Sequence, residues 1–94
     1  MGNNKFEKLV KKMVAKYANQ ALKDAGSATQ ISEEDVYIVW SCKTLQNNKA
    51  LASTPLHDGM YYELTYNGDK DELYFDAYLK QENICYPCPC HGEE

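Results

Sequence analysis

From Phe6 onward the apolar positions fall at helical spacing. Phe6, Leu9, Val10, Met13, Val14, Tyr17 and Ala21 occupy one sector of a helix at 100° per residue, about five turns long. Lys5, Lys8, Lys12, Lys16 and Lys23 make a stripe beside that sector, with no acid among them. Asn4 followed by Glu7 predicts a capped start, and Gly26 predicts the stop. Beyond the short linker "GSATQ" the period changes from helical to two.

Ser32 and Asp35 read as a turn, because the "VYIVW" that follows is β-branched and aromatic and favours a strand. The pattern predicts strands over 36–43, 49–54, 60–66 and 72–79. "QNN" closes the first hairpin, "PLHDG" forms a loop, and Asn67–Gly68 closes the last hairpin, since both residues tolerate positive φ. Alternation then sorts two faces. Val36, Ile38, Trp40, Cys42, Leu64, Leu73, Phe75 and Leu79 are expected against the helix, and Tyr37, Tyr61, Glu63, Thr65, Tyr74, Asp76 and Tyr78 on the other side. The fold class is α+β: an N-terminal amphipathic helix packed on a four-stranded antiparallel β-meander. One domain is expected over 1–84, followed by a short irregular cysteine- and proline-rich tail over 85–94.

Composition adds an asymmetry. Residues 1–25 carry a balance of +4 and residues 26–94 one of −8, giving the net −4. A basic helix is joined to an acidic body. There is no arginine, so the bidentate fork suited to phosphates and carboxylates is missing. Eight of the eleven aromatic residues are tyrosines, whose rings pack while their hydroxyls seek water or a partner. "MGNNKFEKLVKKMV" lacks the apolar run of a secretory leader, and Phe6 stands where N-myristoylation wants Ser or Thr. The longest strongly apolar run, "VYIVW", is far too short to span a bilayer. A cytoplasmic protein with reduced cysteines and no membrane partner is expected.

The most distinctive chemistry lies in "CYPCPCH". Cys85-x-x-Cys88 has the spacing with which two thiolates share one zinc ion, and Cys90 and His91 supply two more donors. Cys42 or His57 from the body are further donors. Against zinc, the chain holds no second C-x-x-C, and Pro87 and Pro89 stiffen the segment. The plainer expectation is a reduced tail without a cofactor. Cys42 reads as a small buried apolar residue, and the His57–Asp58 pair as a solvated turn. None of the phosphate-loop, dinucleotide, zinc-protease or serine-hydrolase motifs is present, so nothing in the sequence advocates an enzyme.

Two surfaces remain. The stripe of Lys5, Lys8, Lys12, Lys16 and Lys23 could meet phosphates, but the acidic body argues against a nucleic-acid partner. The face of Tyr37, Tyr61, Glu63, Tyr74, Asp76 and Tyr78 combines rigid aromatic contact area with carboxylates, as protein interfaces do. It suits a foreign basic surface or a second copy in a two-fold dimer.

The segments "VYIVWSCKTLQN", "DGMYYELTYNGDK" and "ENI", together with the looser lysine-rich helix, carry a resemblance over most of residues 5–84. The chain resembles a family of small uncharacterised proteins from bacteriophages and prophages of Gram-positive (Firmicute) bacteria. The resemblance implies a phage or prophage accessory protein in a bacterial host, acting on a host or phage protein. It implies no reaction and no site residues. It also implies that relatives stop near "ENI", with "CYPCPCHGEE" as an extension.

Overall fold

The computed structural model describes residues 1–87. A helix, α1 (Asn3–Asp24), is followed by a single 3-10 turn (Glu33–Asp35) and four strands: β1 (Tyr37–Thr44), β2 (Asn47–Ser53), β3 (Met60–Asn67) and β4 (Glu72–Leu79). The strands form one antiparallel sheet in the order β1-β2-β3-β4, the meander expected from the sequence.

The ends of α1 divide expectation from observation. Gly26 stops the helix as anticipated. At φ 79°, its N–H donates to the Lys23 carbonyl at 3.0 Å while the Ser27 N–H donates to Leu22 at 2.9 Å, which together close a Schellman turn. The start differs. Gly2 is the cap residue, with no side-chain cap bond, and the helix already includes Asn4. Glu7 instead accepts a hydrogen bond from the Ser41 hydroxyl of β1 at 2.9 Å. A side chain expected to cap the helix therefore ties it to the sheet.

Phe6, Val10, Val14, Ala15 and Ala18 form the buried face of α1, while Tyr17 and Ala21, expected in that sector, remain exposed. The helix packs on β1 and β2. There β2 presents Ala50 and Ala52, both fully buried and small, so the helix backbone can approach closely. The returning linker is held by the Asn19 side-chain amide, which accepts from the Ile31 N–H at 2.8 Å and donates to its carbonyl at 2.9 Å. Asp35 accepts from the Ser32 N–H at 2.8 Å, making the expected turn into β1.

Both hairpin tips depart from expectation. The first loop is Leu45–Gln46, with Leu45 at φ 55°. The second runs over residues 68–71, and its left-handed residue is Asp71 at φ 51°, not Asn67 or Gly68. Gly68 is needed for another reason. Its N–H donates to the Asn47 side chain at 3.2 Å, and a β-carbon there would collide with the Gln46 carbonyl. The close approach of the two tips selects glycine.

Candidate functional site: the open face of the sheet

The expected sides hold for β3, β4 and the start of β1, Tyr37 and Ile38, and fail in the rest of β1. Ile38 pairs with Ala52 and Trp40 with Leu51, leaving Val39 as a bulge residue without a partner. One extra residue reverses the phase of everything after it. Trp40 and Cys42, expected against the helix, therefore stand on the open face, and Ser41 and Lys43 take the helix side. Trp40 and Cys42 are exposed, which also corrects the expectation of a buried Cys42.

Three rows cross the open face. Tyr37, Ser53, Tyr61 and Tyr78 make the first; Trp40, Leu51, Glu63 and Asp76 the second; Cys42, Lys49, Thr65 and Tyr74 the third. Tyr37, Trp40, Tyr74 and Tyr78 are 48, 42, 50 and 51% exposed, so about half of each residue is open to solvent. Lys49 Nζ lies 3.2 Å from Glu63 Oε1. The Tyr74 hydroxyl donates to Glu72 at 3.4 Å, and Lys80 Nζ stands 6.0 Å from the centre of the Tyr61 ring. Asp76, at the edge of the aromatic patch, is exposed. Six residues expected here from the sequence, Tyr37, Tyr61, Glu63, Tyr74, Asp76 and Tyr78, are brought together. Trp40 and Leu51 are additions that alternation missed. The signal was the unbroken run Ile38-Val39-Trp40, which fits either phase.

The other expected sites fare differently. Lys5, Lys8, Lys12, Lys16 and Lys23 are all exposed along the outer side of α1, so the stripe exists as a solvated crest. Of the residues expected as tail zinc donors, Cys85 is an exposed thiol, while Cys88, Cys90 and His91 lie outside the described residues. Among the described residues no three His, Cys, Asp or Glu side chains gather as a metal site, and no helix is long and apolar enough to cross a membrane.

On the helix side, Tyr62 is buried with Tyr17 at 5.7 Å and Phe75 at 5.8 Å between ring centres. Burial, then the charge of Asp58, push its hydroxyl pKa up to about 12. The Tyr66 hydroxyl is also raised, because it donates to Asp71 at 2.7 Å. Both phenols stay protonated near neutrality, and neither is prepared as a base. Asn48 is buried on the same side, and its amide N and O have no partner among the described residues.

The chain belongs to a family of unknown function (DUF6275), whose sequence profile matches residues 7–88. The match ends at Cys88, four residues past "ENI". No curated protein and no solved structure matches the chain.

Proposed function

We propose that this is a non-enzymatic protein-binding module whose open sheet face engages a basic surface of another protein. The observation that carries the reading is the position of Trp40. The bulge at Val39 puts the chain's sole tryptophan beside Leu51 on an uncovered sheet, among half-exposed tyrosines. Trp and Tyr are the residues most enriched where protein interfaces concentrate their binding energy. An antiparallel sheet with one wet face ordinarily turns polar residues outward; this face spends a tryptophan and four tyrosines there.

The charges select the partner. Glu63, Glu72 and Asp76 face outward against two lysines, Lys49, already paired with Glu63, and Lys80, over the Tyr61 ring. Three carboxylates against two lysines leave the face acidic, so a second copy of it is a poorer complement than a basic surface. A lysine- or arginine-bearing protein surface is the complement. In the phage setting that the sequence resemblance implies, the partner is a host or phage protein met in the bacterial cytoplasm.

The test is capture from host lysate by immobilised protein, with Glu63→Lys/Asp76→Lys as the paired bait. The reading requires a basic protein retained by the native chain and lost by the variant, with an unchanged circular dichroism spectrum. Equal retention by both baits would remove it.

A further inference from the structure

The helix side of the sheet is covered unevenly, closed over β2 and β3 and open toward the edge strand β4. A helix about 10 Å across spans two strands spaced about 4.8 Å apart, and α1 sits on β1 and β2. Tyr62 and Leu64 of β3 are fully buried in the same core as Phe6, Val10 and Val14, but β4 lies beyond them, and there the Tyr17 ring reaches to 5.1 Å from that of Phe75. Leu79, on the same side, is 58% exposed, and Tyr17 itself 44%. Two clefts of about 290 and 280 Å³ flank Tyr17, one floored by Met13 and Phe75, the other running past Ala21 and Ala25 to Asp58 and Met60.

From Met13 to Ala25 the two clefts, meeting at Tyr17, make a groove that follows α1 for about 18 Å, three turns at 1.5 Å per residue. Its walls are apolar and its ends are charged, with Lys16 at one and Asp58 at the other. We infer that the groove is a second docking site, distinct from the open face, and that its occupant is a three-turn amphipathic helix of another protein lying antiparallel to α1. The apolar stripe of that helix would replace water over Tyr17 and Phe75. Its N-terminal end, carrying the positive end of the helix dipole, would meet Asp58, and an acidic residue near its C-terminal end would meet Lys16. A second copy of this chain does not fit. The described residues hold one long helix, and its free side is the lysine crest.

The probe is a synthetic 14-residue helical peptide with leucines at i, i+3, i+4, i+7 and i+11, lysine in its first turn and glutamate in its last. A control peptide has the two charges exchanged. Titration into isotopically labelled protein, followed by NMR, should shift the signals of Met13, Tyr17 and Phe75 and leave Trp40 unmoved. Ala21→Glu, an exposed substitution on the groove wall, should weaken binding by more than about tenfold. Lys16→Glu should cost the probe about fivefold, the effect of turning one surface attraction into a repulsion, and should leave the control bound at least as well as before. Shifts confined to the open face, no binding of either peptide, or indifference to Ala21→Glu would each overturn the inference. Glu63→Lys/Asp76→Lys, which alters only the opposite face, should bind the probe normally, so this test and the capture test fail independently.

Discussion

Trp40 lies directly across the β1–β2 ladder from Leu51, although the preceding pair is Ile38 with Ala52. The single unpaired residue between them decides which side of the sheet the tryptophan occupies. Because the chain has one tryptophan, its fluorescence reports this directly. Acrylamide should quench Trp40 readily in the native protein. Strong protection in a folded chain would place the ring under the helix, as simple alternation predicts, and would remove the bulge.

Asn19 should matter more than its polar, half-buried position suggests. Its amide closes two hydrogen bonds on the backbone of Ile31, at 2.8 and 2.9 Å, and so fastens the linker that leads into β1. Asn19→Ala leaves a part-buried N–H and C=O unpaired. The expected loss is about 2 kcal/mol in urea unfolding, since an orphaned group costs more than an average bond contributes. A loss below about 0.5 kcal/mol would show that the linker is held elsewhere.

Asn48 is the converse case. Its side chain is buried between Lys43 and Tyr66 across the ladders, with both amide atoms unpartnered. Asn48→Val removes two unsatisfied groups and adds a β-branched side chain suited to a strand. Thermal unfolding should show a gain of about 1 kcal/mol. Destabilisation would mean that the amide holds a hydrogen-bonded water.

Stability should also fall at high pH through Tyr62. Its folded pKa of about 12 lies above the ordinary 10.0, so the native state keeps a proton that the unfolded chain releases first. The contribution is whole below pH 10 and is lost as pH rises from 10 toward 12. Tyr62→Phe should flatten that part of the stability profile. An unchanged slope would indicate that the Tyr62 hydroxyl is solvated.

The elements were legible because their signals are local. Gly26 ends α1 through its own backbone bonds, and β4 occupies the expected 72–79 because alternation runs cleanly through Leu73, Phe75 and Leu79. The carboxylate and tyrosine half of the open face followed from β3 and β4, where no bulge intervenes. The Trp40 half did not, since Ile38-Val39-Trp40 is apolar in either phase. The position of α1 toward the β1–β2 side of the sheet was equally hidden. It depends on Ala50 and Ala52 being small, on Ser41 meeting Glu7 and on Asn19 gripping Ile31, all contacts between residues far apart in sequence.

The most direct measurement of the central claim is quantitative capture with three folded baits: the native chain, Trp40→Ser, and Lys8→Ala/Lys12→Ala on the opposite crest. The open-face account predicts a basic protein enriched by the native chain and by the lysine variant, and depleted at least about tenfold by Trp40→Ser, as for loss of a central interface aromatic. Equal enrichment by all three baits, or loss with the lysine variant alone, would contradict it.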